Sequence, residues 1–176
     1  MKKSLLFLLT IVSVAMFVSC GGDKKSGSGS DASEENIEGV KYENKDFGYL
    51  VVLPEGFEQQ NDDAKMEKER GGKLFLGDGC TIDVTCSKMN YIGDTTPEAS
   101  IDQSIEMVKA LNEGAEVEKL DAVSFVSKSQ DDNYLRAHYE LQKNGNKYMI
   151  DFTYTLDKKD QFDKDVEAVV KSFKAE

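Results

Sequence analysis

Between residues 133 and 156 the sequence repeats a two-residue period on either side of one turn. Leu135, Ala137, Tyr139 and Leu141 alternate with Tyr134, Arg136, His138 and Glu140, and further on Tyr148, Ile150, Phe152 and Tyr154 share a face. Asn144-Gly145-Asn146 stands between them. A period of two is the signature of a strand with one face buried. Asn-Gly supplies the positive φ of a tight turn whose twist matches that of its strands. Residues 133–142 and 147–156 are therefore expected to form an antiparallel hairpin with one apolar face. Two strands cannot keep such a face dry by themselves, so more strands and a covering layer must come from the rest of the chain.

The candidates precede and follow it. Residues 40–43 and 47–53 flank Asn44-Lys45-Asp46, a turn composition, and Phe47, Tyr49, Val51 and Leu53 alternate on one side. Pro54 then ends the strand, because it has no N–H to give to a ladder. Residues 73–76 and 81–87 read as strands around Gly77-Asp78-Gly79, and 122–129 as a strand ahead of Gln130-Asp131-Asp132. Residues 59–70 are very polar and fit loop, edge strand or short helix equally. A helix is expected from Thr96-Pro97, with Thr96 as cap, Pro97 at the first position and Glu98 and Asp102 near the positive end. Its stripe is Ile101, Ile105, Val108 and Leu111, and Gly114 can close it. Asp157 is placed to cap a last helix with the stripe Phe162, Val166, Val169, Val170 and Phe173. The fold class is α+β: a twisted antiparallel sheet of about six to seven strands with two main helices packed on it.

The first twenty residues are of another kind. Lys2 and Lys3 precede an apolar run from Leu5 to Val18, and Ser19-Cys20-Gly21-Gly22 follows. The run is about fourteen residues, short of the roughly 20 that span a bilayer, so a secretory leader explains it better than a membrane helix. It resembles a bacterial lipoprotein signal of the Bacteroidota type, with Phe17 where Leu is commoner three residues before the cysteine. That resemblance implies cleavage after residue 19, a diacylglycerol on Cys20 and an acylated new amino terminus, palmitate being a typical chain. Several acyl chains, each methylene contributing about 0.8 kcal/mol, anchor firmly. The location implied is the cell envelope, at the periplasmic or cell-surface face of the outer membrane. Residues 20–36 form the lipidated cysteine and a linker whose sole apolar residue after Cys20 is Ala32. At about 5–6 Å × √n, its sixteen residues reach about 22 Å. Residues 37–176 then make one domain, long enough for a core of its own.

The chain holds 33 acidic against 22 basic residues, a net charge of −11, which becomes −13 once Lys2 and Lys3 leave with residues 1–19. Nucleic acid as a partner is excluded on this ground, since phosphates demand Lys and Arg. Adhesion of the domain to an anionic membrane is disfavoured for the same reason.

Gly48-Tyr49-Leu50-Val51-Val52-Leu53-Pro54-Glu55-Gly56-Phe57 is similar to the opening of PsbP-like domains, a strand broken by Pro-x-Gly-aromatic. The late strand pair, followed by a helix ending Val169-Val170-Lys171-Ser172-Phe173, is similar to that family too. The resemblance covers about residues 40–176, with Phe57 where many relatives carry tryptophan. It implies a binding or assembly-assisting domain, usually without catalysis, and supplies no signature site.

The remaining chemistry-bearing residues have plain readings. Cys80 and Cys86, six apart at about 3.3 Å per residue, lie about 20 Å apart if one strand runs through both, too far for a disulfide, which would require a break after Gly79. They are expected to be buried free thiols. His138 is the one histidine, too few for a metal site, and its neighbours Arg136 and Glu140 suggest a polar sheet face. Asp62-Asp63 and Asp131-Asp132 lack the spacing of a calcium loop. Gly77-Asp78-Gly79 lacks the further glycines of a phosphate cradle. Tyr134, His138, Tyr148 and Tyr154 are the candidate binding face, with Tyr139 a weaker member. No catalytic residue, metal or cofactor is expected. The function expected is a non-enzymatic module that binds or helps assemble another envelope protein. A small-molecule or glycan binder is the alternative, and a hydrolase would need a nucleophile or carboxylate within reach of His138.

Overall fold

The structure, a computed structural model, describes residues 39–60, 64–89 and 95–176, all within one compact unit. Cys20, the leader, the linker and Asp62-Asp63 lie outside the described residues. The strands are β1 (Val40–Asn44), β2 (Tyr49–Leu53), β3 (Glu58–Gln59), β4 (Lys73–Gly77), β5 (Cys80–Lys88), β6 (Glu116–Lys119), β7 (Ser124–Gln130), β8 (Tyr134–Lys143), β9 (Asn146–Thr155) and β10 (Lys174–Ala175). Helix α1 (Ala64–Arg70) precedes β4, α2 (Pro97–Leu111) follows β5, and α3 (Lys159–Ser172) follows β9.

Seven strands form one antiparallel sheet in the order β3-β4-β5-β9-β8-β7-β6. Its centre is the hairpin expected from the sequence. Asn144 and Gly145 have φ of 52° and 75°, so the turn takes two residues and sets Lys143 opposite Asn146. Every later pair follows from that register, including His138 opposite Asp151. The α+β class and the two main helices are as expected. The sheet membership is not: β1 and β2 do not join the large sheet but pair with β10 in a second, three-stranded one. The short β10 has no signal in the sequence, because its two residues carry no period. The edge strand β6 was also missed; its four residues, Glu-Val-Glu-Lys, are the kind of short charged edge that resists further pairing.

The larger core lies on one face of the seven-stranded sheet. Ile82, Val84, Tyr148, Ile150, Phe152 and Tyr154 meet Val51 and Leu53 of the small sheet and Phe162, Val166 and Val169 of α3. Ser172 hooks that helix to β2 just beyond the point where β10 stops pairing. Its hydroxyl accepts from the Val52 N–H at 2.9 Å and donates to the Val169 carbonyl at 2.8 Å. Asp157 does not cap α3. The chain passes first through a 3₁₀ turn, Leu156–Lys158, so Lys158 falls at the cap position and its side chain makes no capping hydrogen bond.

Helix α2 packs on the opposite face. Thr96 caps it, accepting from the Ala99 N–H at 3.3 Å, with Pro97 at its start. Ile101 and Ile105 close over Phe125 with Val108 and Val117 beside them. Leu111 does not belong to that stripe: it is 75% exposed, because the helix runs on past the end of this small cluster. Strand β7 begins at Ser124 rather than at residue 122, since Asp121 Oδ1 accepts from the Val123 N–H at 2.8 Å and holds the turn.

Candidate functional site

The four residues of the expected binding face do not share a face. Tyr148 and Tyr154 are 1% and 0% exposed on the α3 side, their hydroxyls donating to the Phe47 carbonyl at 3.2 Å and to Asp165 Oδ2 at 2.9 Å. Tyr139 is buried on that side as well. Tyr134 and His138 point the other way, toward α2. The alternation that makes a strand puts neighbours on opposite sides, and the tyrosines of β9 occupy the core parity. Tyr134 stays at the surface under the Arg136 guanidinium, 5.5 Å from its ring centre. Asp131 is a turn residue: Oδ1 accepts from the Asn133 and Tyr134 N–H groups, each at 2.8 Å, and Oδ2 pairs with Arg136 at 3.0 Å. Asp78-Gly79 is likewise a two-residue hairpin turn between β4 and β5.

What His138 does join is a groove of about 500 Å³ between α2 and the outer face of β7, β8 and β9. Ser127, Ser129, Arg136, His138, Lys147, Met149, Asp151 and Thr153 form its floor, and Ser104, Met107, Val108 and Asn112 its α2 wall. At its inner end lies Glu140, a carboxylate only 2% exposed. It accepts from Lys147 Nζ at 2.7 Å, Gln142 Nε2 at 2.8 Å and the Ser104 hydroxyl at 3.0 Å, and faces His138 Nε2 at 3.7 Å. Gln142 also donates to the Ser100 hydroxyl at 3.0 Å, so the network ties α2 to β8 in two places. The other imidazole nitrogen, Nδ1, stands 2.7 Å from Asp151 Oδ1.

These contacts set the charge states. Burial works to raise the Glu140 pKa, but the hydrogen bonds from His138, Lys147 and Gln142 overcome it and hold it down at about 2. Burial opposes the charge on His138 too, and the bonds to Asp151 and Glu140 outweigh it, lifting it to about 9. At neutral pH the ring is an imidazolium between two carboxylates. It has no lone pair with which to accept a proton, and Asp151 is within reach of it as a counter-ion. Asp83, opposite Asp151 on β5, has its pKa raised, by burial and then by the Asp151 charge. The floor is thus internally neutralised, while the wall offers exposed apolar groups: Met107 is 60% exposed and Leu111 lies one turn on. Among the described residues no group of three or more His, Cys, Asp or Glu side chains could hold a metal ion.

The sequence reading named His138 and its polar neighbours but not Lys147, Asp151 or Ser104. The signal for Asp151 was present in the two-residue turn, which fixes the pairing of His138 with it. Nothing local marks Ser104, which arrives from α2.

Cys80 and Cys86 are buried free thiols on one strand, as expected. Burial pushes Cys86 up to about 11 and raises Cys80 as well, so neither forms thiolate readily. Iodoacetamide at pH 8 should leave both unmodified in the folded protein and alkylate both after denaturation, read by peptide mass. Modification at the same rate in both states would show that β5 opens in the native protein.

No protein-family model matches the sequence, and no curated protein sequence matches it. Solved structures do. The PsbP protein of Synechocystis sp. PCC 6803 (CyanoP) superposes with a TM-score of 0.58 at 16% identity, over 84% of this chain and 98% of its own. The fold is PsbP-like. A Bacteroides thetaiotaomicron protein aligns at TM-score 0.52 and 16% identity over 80% of this chain and 49% of its own length. The Saccharomyces cerevisiae Ran-binding protein Mog1p aligns at 0.52 and 9% over 79% and 96%. This PsbP-like frame places α2 and the polar sheet face on the side away from the main core.

Proposed function

We propose that this protein is a lipid-anchored envelope module that binds another envelope protein through the α2 groove and helps to hold or assemble it, without catalysis. The observation that carries this reading is the groove itself: a wide, open cleft whose charges are already paired and whose helical wall presents Met107 and Leu111 to solvent. A paired floor can accept a partner surface with little desolvation of lone charges, and exposed apolar side chains on a rim supply the area that association needs. A PsbP-like fold, which Mog1p shares, is compatible with a binding or assembly module. The Cys20 anchor and the linker would keep the domain within tens of ångströms of the outer membrane.

The test is crosslinking in intact cells carrying a C-terminally tagged chain, with mass spectrometry of what is recovered. One reproducible envelope partner is expected, reduced at least five-fold by the pair Met107→Lys and Leu111→Lys. Cys20→Ala, which removes the acylated thiol, should reduce it too. A partner recovered equally from all three versions would sink the proposal.

A second reading has a specific observation behind it. The hydroxyls of Ser104, Ser127, Ser129 and Thr153 around about 500 Å³ suit a polyhydroxylated small molecule or glycan. Native mass spectrometry of the purified chain would reveal it as a retained adduct, absent from a Ser127→Trp variant that fills the groove.

A further inference from the structure

A second depression lies at the far end of the sheet, where the β1–β2 turn, α1, the end of β5 and the start of β9 converge. Its volume is about 590 Å³, and Lys45, Lys68, Lys88 and Asn146 line it together with Phe47. Three separate segments thus bring three lysines to one place, with Asn146 from a fourth, in a chain whose net charge is −11. Lys88 and Asn146 face each other across β5 and β9. Elsewhere the lysines of this protein are mostly spoken for: Lys73, Lys119, Lys128, Lys147 and Lys158 each hold a carboxylate within 3.2 Å. By contrast the side chains of Lys45, Lys68 and Lys88 make no hydrogen bond or ion pair among the described residues. Asp46 and Glu176 also line the depression, yet neither forms an ion pair with a lysine among the described residues.

Lysines collected around one hollow without a partner among the described residues repel each other. They become favourable when a multiply charged anion sits among them. The donor set narrows its chemistry. A carboxylate is planar and best met by the fork of an arginine, and no arginine lines the hollow. Lysine ammoniums are compact point charges with three donors each, suited to converge from several directions on a tetrahedral oxyanion. We infer that the depression bounded by Lys45, Lys68, Lys88 and Asn146 binds a phosphate-type oxyanion. It is distinct from the α2 groove and does not depend on the function proposed for it. The hollow is larger than one phosphate requires, so the group belongs to a phosphorylated molecule, either a soluble one or a phospholipid headgroup.

The experiment uses the full chain in a neutral detergent, titrated at constant ionic strength with inorganic phosphate and followed by amide NMR shifts. Saturable shifts are expected at Lys45, Lys88 and Asn146, weakened at least ten-fold by Lys45→Gln, Lys68→Gln and Lys88→Gln together. Lys109→Gln, on α2, should change nothing. Glu176→Gln, which removes a competing carboxylate, should tighten binding two- to five-fold. The three glutamines replace exposed side chains, so an unchanged thermal midpoint will show that the triple variant remains folded. In a parallel arm the detergent is doped with phosphatidylglycerol or with phosphatidylcholine. Saturation at the same residues by phosphatidylglycerol, with free phosphate silent, assigns the oxyanion to a headgroup. Shifts that are unsaturable and spread over exposed lysines generally, or that survive the triple substitution, overturn the site. So does silence in both arms.

Discussion

Replacing Glu140 with alanine should destabilise the protein by about 3 kcal/mol, because it strands Lys147 and the His138 imidazolium without the buried carboxylate they share. The ledger that makes this carboxylate worth keeping is visible in its partners: Lys147, Gln142 and Ser104 within 3.0 Å, and His138 at 3.7 Å. The same network dictates a pH dependence. Glu140 sits at about 2 in the fold against an ordinary 4.5, so its contribution is complete above 4.5 and is lost as pH falls toward 2. His138 sits at about 9 against an ordinary 6.5, so its contribution is complete below 6.5 and is lost as pH rises through 9. Stability from this cluster is therefore flat between about 4.5 and 6.5 and declines on both sides. Urea unfolding at pH 6 and pH 9.5 should show His138→Gln costing on the order of 2 kcal/mol at the lower pH and much less at the higher. Equal costs at both pH values would mean that the ring is neutral in the fold.

Phe125→Ala should cost about 3–5 kcal/mol and, more tellingly, should release α2. This ring is 0% exposed and is the sheet's main apolar contact with Ile101 and Ile105. Apart from that small cluster α2 is held by Ser100, Ser104 and the Lys119–Asp102 pair at 2.6 Å. The main core is on the other side of the sheet and does not touch it. Hydrogen exchange should therefore show amides 101–109 losing protection while β8 and β9 keep theirs, with the groove lost as its wall comes away. Phe152→Ala, of similar size but in the main core, should lower protection everywhere. If Phe125→Ala also unfolds the domain as one unit, the two cores are a single cooperative structure.

The contrast between these two phenylalanines bears on what could be read in advance. Strands β8 and β9, their turn and their register were legible because a two-residue Asn-Gly loop leaves only one pairing, and with it His138 must meet Asp151. The apolar stripes of α2 and α3 were legible as far as Val108 and Phe173 by their helical spacing. Their sides were not. A stripe says that a face is buried, not which face of which sheet buries it, and so Tyr148 and Tyr154 could be taken for a platform with Tyr134 when they belong to the opposite surface. The second sheet escaped notice because β10 is two residues long and is specified by its position after α3, with Ser172 completing the ladder along β2.

The sequence alone determined the main elements and their local pairings: strands from period-two alternation, a helix start from Thr96-Pro97, and turns from Asn144-Gly145 and Asp78-Gly79. Each of those is decided by forces acting within a few residues along the chain. The tertiary structure alone decided that α2 and α3 lie on opposite faces, that Ser104 reaches Glu140, and that Lys45, Lys68 and Lys88 face one hollow. These depend on contacts between residues dozens of positions apart, whose energies are set by which surfaces exclude water together, and no local pattern encodes that choice.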